Sequence, residues 1–195
     1  MFELMRRYSF ATLVTAVDNV PQVTHLPFII DPGQGPNGTL LGHFARGNPH
    51  WRSIGPDDLA TVIFQGPHSY VSPRWYRDQS NVPTWNYTVV HATGPVEILR
   101  DTSAVLDIVS RLTEVHEREA PDPWPVANAE RNLDKLLSAI VGFRIPIQAL
   151  EGKYKLSQNR TTQDQQGVID TLTKSEDPTI NGVADLMRRN LACIT

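Results

Sequence analysis

The sequence predicts an α+β domain in which about six antiparallel strands close into a small barrel and helices are inserted late. Two observations predict it. Apolar, β-branched runs of strand length, each bounded by Gly, Pro, Asn or Asp, fill residues 9–99. A stretch of helical periodicity then occupies 101–141, before β-type sequence returns.

SFATLVTAV, beginning at Ser9, ends at the turn pair Asp18-Asn19, and QVTHLPFII follows it, so residues 9–30 read as a hairpin. DPGQGPNG at 31–38, with three glycines and two prolines, is a loop leading into the strand TLLGHFA. LATVIFQ at 59–65 is apolar enough to be a buried strand. WNYTVVHATGPVEIL at 85–99 is a long strand with a bend expected at Gly94-Pro95.

Asp101, Thr102 and Ser103 offer N-caps, and Leu106, Val109, Leu112 and Val115 recur as one helix face. The three prolines of PDPWPV at 121–126 end that helix, because each removes an N–H and fixes φ. A second helix is expected over 127–141, with Leu133, Leu136, Leu137 and Ile140 inward. GFRIPIQALEGKYKL returns to β, and from about Gln163 two short amphipathic helices flank SEDP at 175–178. The expected division is a barrel domain over 1–160, carrying the inserted helices 101–141, and a helical extension over 161–195.

Composition narrows the function classes. At 195 residues and 40% hydrophobic, the chain suits one domain with a sizeable core. A net charge of −3 argues against bulk, sequence-independent attraction to nucleic acid. The single cysteine, Cys193, can form neither an internal disulfide nor a Cys-based metal site. No stretch approaches the ~20 apolar residues of a membrane span. MFELMRRYSFATLV lacks the basic-then-apolar layout of a signal peptide and passes straight into a strand pattern, so a cytoplasmic chain is expected.

Six histidines raise the question of a metal, but they form no HExxH and no HxH pair, and no metal site is expected. Ser72 lies between Val71 and Pro73 rather than between the glycines of a nucleophile elbow, and no GxGxxG or P-loop is present. No catalytic residue is nominated, and whether the chain is an enzyme stays open. Chemistry-bearing residues concentrate instead in LGHFARGNPHW (41–51), VIFQGPHSYVSPRWY (62–76) and VPTWNYTVVHATG (82–94). These hold three of the four tryptophans and four histidines. Aromatic planes beside amides suit a flat heterocycle, and Arg beside imidazoles suits a phosphate, which is the demand of FMN. Taken singly, Trp51, Trp75 and Trp85 read equally well as anchors of a barrel or dimer interface.

These three patches, with AIVGFRIPIQALEGKYKLSQNR and QQGVIDTL, closely resemble the PaiB-like family of FMN-binding negative transcriptional regulators, from about Ser9 to at least Leu172. The resemblance implies a split β-barrel assembled as a homodimer, with FMN at the subunit interface and operator DNA as a partner. It also implies an N-terminal segment longer than the one here. By the same likeness, Thr24, His25 and Leu26 lie along the flavin ring, and Arg46, Asn48 and His50, with His43 and Trp51 in the same patch, sit at the phosphate. Tyr70, Ser72, Trp85 and Asn86 would close the site from the partner subunit, and Lys155 and Gln158 would border the ligand. One Arg and two His at the phosphate imply modest, pH-dependent affinity, since imidazole is only partly charged at neutral pH. The readings left open are a flavin-dependent oxidoreductase of the flavin-reductase or pyridoxamine-phosphate-oxidase type, and a haem-binding relative.

Overall fold

The computed structural model describes residues 1–56 and 58–192; Cys193 lies outside the described residues. The chain is α+β, as its sequence predicts, but it opens on a helix, α1 (Phe2–Arg7), rather than passing straight into a strand. Leu4 and Met5 of α1 are buried, and Arg6 and Arg7 lie in its last turn, where the helix dipole favours cations.

Among the described residues nine strands form instead of six: β1 (Phe10–Val17), β2 (Val20–Pro27), β3 (Ile29–Asp31), β4 (Thr39–Ala45), β5 (Leu59–Val71), β6 (Thr84–Pro95), β7 (Glu97–Ile98), β8 (Ile140–Pro146) and β9 (Ala149–Lys155). The excess has one physical cause. Each of three predicted strands breaks directly after a proline, at Pro27, Pro95 and Pro146, and its two parts join different sheets. The sheets have the orders β2-β1-β5-β6-β9 and β3-β4-β8-β7. A proline has no N–H to give to a ladder, so the strand ends there and turns the corner between sheets.

By internal contacts the described chain falls into two compact units, residues 1–64 with 90–151, and residues 65–89 with 152–195. The first unit holds the β1–β2 hairpin, whose turn residues Asp18 and Asn19 have φ of 51° and 62°, the left-handed pair a tight type I′ connection requires. Its core gathers Leu13, Leu40, Phe44, Val62, Phe64, Phe143 and Ile145, all without solvent exposure. Helix α2 (Thr102–Glu117) is capped by Asp101, which accepts from the Ser103 N–H. It buries Val105, Ile108 and Leu112; Leu106 and Val109 are only half-buried and Val115 is exposed. The predicted helix over 127–141 is instead a 3-10 segment (Val126–Asn132) and one short helix, α3 (Leu133–Ser138), in which only Leu137 is buried. Its other leucines never find the continuous core face that would lengthen it.

The second unit is built from the ends of the long strands β5, β6 and β9, with α4 (Thr162–Leu172) and α5 (Pro178–Ala192). Its core of Val71, Leu156, Val168, Ile169, Leu172, Val183 and Met187 is separate from the first. Two glycines let its helices approach closely. A Cβ on Gly167 of α4 would lie 2.3 Å from the Trp75 carbonyl oxygen, and one on Gly182 of α5 would lie 2.9 Å from the Pro67 ring. Among the described residues no helix is long and apolar enough to cross a membrane.

Candidate functional site

In the first unit the polar site grows out of the inward alternation of β1. Ala11, Leu13 and Thr15 all face the interior, so a hydroxyl arrives where the pattern calls for an apolar group. Thr15 is 3% exposed, and its Oγ1 lies 2.8 Å from Nε2 of His50. Nδ1 of the same ring is 2.8 Å from Oγ1 of Thr24 on β2. Asn48 donates from Nδ2 to Thr24 Oγ1 at 3.2 Å, and its Oδ1 accepts the His50 backbone N–H at 3.0 Å. That last bond caps the 3-10 turn Pro49–Arg52, and Pro49 at its first position fixes the entry. The result is a linked set, Asn48–Thr24–His50–Thr15, in which both imidazole nitrogens are engaged. The assignment that leaves Thr24 a proton for a ligand has Nδ1–H donating to Thr24 Oγ1 and the Thr15 hydroxyl donating to Nε2, which makes the ring neutral. Burial acts the same way, holding the His50 pKa below its ordinary value.

The donor set fits the phosphate end of a flavin nucleotide. It offers a hydroxyl, an amide and an exposed glycine, Gly47, where even a Cβ would meet nothing within 4 Å, and the set includes no carboxylate. Beside it, β2 is the edge strand of its sheet, so the backbone of Thr24, His25 and Leu26 has a side without a strand partner. Leu26 points into the core, and the exposed His25 ring stacks on Phe10 with centroids 6.4 Å apart.

Arg46, Trp51 and His43 stand apart from this set. The Arg46 guanidinium donates to the Ser138 carbonyl and, at 2.8 Å, to that of Ile140, while Trp51 Nε1 donates to the Arg46 carbonyl at 3.1 Å. Arg46 and Trp51 line a cavity of about 520 Å³ with Arg100, Leu137 and Asp134. His43, on β4, is half-buried, its Nδ1 has no hydrogen-bond partner among the described residues, and burial lowers its pKa.

The remaining predicted residues belong to the second unit. Ser72 is buried and caps the 3-10 turn Pro73–Trp75, accepting from Arg74 N at 3.3 Å. Asn86 is fully buried, with Oδ1 accepting from Ser157 at 3.1 Å and Nδ2 against the Met187 sulfur at 3.3 Å, which makes it the polar tie of that unit's core. Lys155 donates to the Trp85 carbonyl at 2.8 Å and to the Thr84 hydroxyl. Gln158 closes its own turn, accepting from Leu156 N and donating to the Tyr154 carbonyl. Tyr70 and Trp85 line an open cleft of about 610 Å³, joined there by Trp75, Lys174, Asp177 and Thr179. Tyr70 meets Trp75 and Trp85 edge to face, at 6.4 and 6.2 Å between centroids.

Sequence reasoning missed Thr15. A threonine in an inward position of an apolar strand was the available signal. Among the described residues no group of three or more His, Cys, Asp or Glu is placed to hold a metal ion.

The family described as "Putative FMN-binding domain" matches residues 1–149. The chain is 37% identical over 193 residues to protease synthase and sporulation protein PAI 2 of Bacillus subtilis, covering 98% of this chain and 91% of that protein. The chain belongs to the PaiB-like FMN-binding family. The FAD and haem binding protein of Mycobacterium smegmatis shares the fold at a TM-score of 0.58 and 16% identity, over 84% of this chain and 73% of that one. The flavocytochrome Anf3 of Azotobacter vinelandii does so at 0.54 and 13%, over 82% and 67%. The fold is thus that of the flavin split barrels, and FMN is the cofactor of the PaiB-like chain.

Proposed function

We propose that this protein is a cytoplasmic homodimer that binds FMN and acts as a negative transcriptional regulator, with operator DNA as its partner. The observation that carries the reading is the saturated state of His50. With both ring nitrogens engaged by threonine hydroxyls and burial favouring the neutral form, the imidazole is a positioning group and not a free acid or base. Such a site is built to hold its ligand. Thr24 and Asn48 would bind the FMN phosphate, His50 would orient Thr24, and the open edge of β2 at His25 and Leu26 would run beside the ring. Bound FMN would supply redox chemistry, so that occupancy and oxidation state are the signals available to a regulator.

Dimerisation is supported by one face of the first unit. Val14 pairs with Val23 across β1–β2 and with Thr61 across β1–β5, so Phe10, Val14, Val23, Leu59 and Ile63 share a sheet face. Phe10 is 68%, Val23 53% and Leu59 51% exposed, a row of apolar groups that a second copy of the chain would bury. The name of the Bacillus relative, which links that protein to protease synthesis and sporulation, is in keeping with a regulatory output.

The test joins three measurements on the purified chain: FMN titration, sedimentation, and fluorescence anisotropy with DNA from upstream of its own gene across a salt series. Saturable FMN binding by a dimer, with DNA affinity that falls steeply with salt and changes with FMN, is the expected result. Repeated turnover of a nicotinamide donor through bound FMN, with no specific DNA binding, would replace the regulator by the oxidoreductase.

A further inference from the structure

We propose that the cleft of the second unit is a separate ligand site, for a small flat aromatic monoanion such as an aryl carboxylate. Its walls are three rings standing edge to face, Trp75–Tyr70–Trp85, and two of them keep exposed surface, 42% for Tyr70 and 53% for Trp85. Rings held at right angles present both a face and an edge to a flat guest, the two geometries in which aromatic pairs attract. The cleft volume, about 610 Å³, falls within the roughly 300–1,000 Å³ of small-molecule pockets.

The charge of the guest follows from what the cleft's polar groups already do. The Asp177 carboxylate keeps its charge but is anchored at the start of α5, where its Oδ1 accepts the Thr179 N–H at 2.8 Å and the helix N-terminus offsets that charge. The Lys174 ammonium, by contrast, has no ion-pair partner among the described residues. It is exposed and lines the same cleft, on the turn between α4 and α5. A carboxylate satisfies that ammonium while the attached ring lies against the tryptophans; a cation would meet Lys174 instead.

The walls are held by close packing and need no ligand to form. The backbone of Trp75 lies directly on Gly167, and Pro67 on Gly182, so α4 and α5 are seated against the strand and turn that carry the rings. The site is therefore preformed, which lowers the ordering cost of binding.

The experiment is calorimetric titration of the full chain, saturated with FMN, by 2-naphthoate and by its neutral amide. Wild type is expected to take one naphthoate per chain at least tenfold more tightly than the amide. In Lys174→Met the two should bind alike, and Trp85→Leu should weaken both at least tenfold. FMN affinity, titrated separately, should be the same in Lys174→Met as in wild type. Equal binding of acid and amide by wild type, binding of neither, or acid preference retained in Lys174→Met would each overturn the proposal. Displacement of FMN by naphthoate would also overturn it, by making the cleft part of the flavin site. The separate FMN titration keeps a failure here distinct from a failure of the FMN reading.

Discussion

The His50 cluster and the Lys174 cleft are opposite solutions to placing polar groups near a ligand. In the first, a chain of hydrogen bonds runs Asn48–Thr24–His50–Thr15, and its inner members are nearly shut off from water. In the second, large rings and an ammonium remain exposed, and the carboxylate is anchored at a helix start by one N–H bond. A saturated network is stiff and specific, and it is costly to disturb, because each lost partner strands a buried group. An uncommitted cleft contributes little to stability and keeps its interactions for a guest. The same substitution logic should thus unfold one region and merely empty the other.

The largest effects should come from the packing and the network beneath each site. Gly167→Ala puts a Cβ into the Trp75 carbonyl and should cost about 1–3 kcal/mol in chemical denaturation, moving a wall of the cleft as it does so. Thr15→Val keeps the shape of its residue but leaves His50 Nε2 unpaired, and should cost a similar ~1–3 kcal/mol. A Thr15→Val protein as stable as wild type would mean that the network is ornamental, and the contrast between the regions would collapse.

Next comes pH. His50 and His43 both have pKa values below the ordinary histidine value of about 6.5, because burial penalises their charged forms. Below that value the unfolded chain binds more protons than the folded one, so stability is complete above it and is lost as pH falls through the lower folded values. The melting temperature should drop on acidification from pH 7 toward 5, and the drop should shrink in His43→Gln. A flat profile would contradict burial as the controlling force. The smallest effect should be that of Lys174→Met, within about 0.5 kcal/mol in stability, since the side chain is exposed and unpaired. A larger loss would show that this ammonium supports the fold and is not held in reserve.

Much of the fold was legible because local chemistry and tertiary structure agree. The Asp18-Asn19 turn, the Asp101 cap and the helices either side of SEDP all form where their residues ask for them. The strand breaks at Pro27 and Pro146 were not read, although both prolines were in view. Each sits inside an apolar run whose β propensity is uninterrupted, and only the change of sheet gives the proline its meaning. Leu106 and Val109 fit the helical period as well as Val105 and Ile108 do, and only the packing of α2 against β3, β4 and β8 decides between them. For the site, the HFARGNPHW junction and QVTHLPF nominated Asn48 and His50 for the phosphate and Thr24 for the ring, and the hydrogen bonds that join the three come only with the fold. The two stretches could not reveal that Arg46 would turn to the carbonyls of Ser138 and Ile140, 92 and 94 residues on, because those partners come from an element the junction does not encode.

The hydroxyl of Thr24 and the amide of Asn48, both in the first unit, are expected to hold FMN. The decisive measurement is a fluorescence titration with FMN of wild type, Asn48→Ala and Lys174→Met, each shown to be fully folded at the titration temperature. Wild type and Lys174→Met should quench the flavin saturably at one FMN per chain with equal affinity. Asn48→Ala should bind more weakly by about 0.5–1.5 kcal/mol, the worth of one neutral hydrogen bond. Full affinity in Asn48→Ala together with weakened binding in Lys174→Met would contradict the account and move the flavin to the cleft.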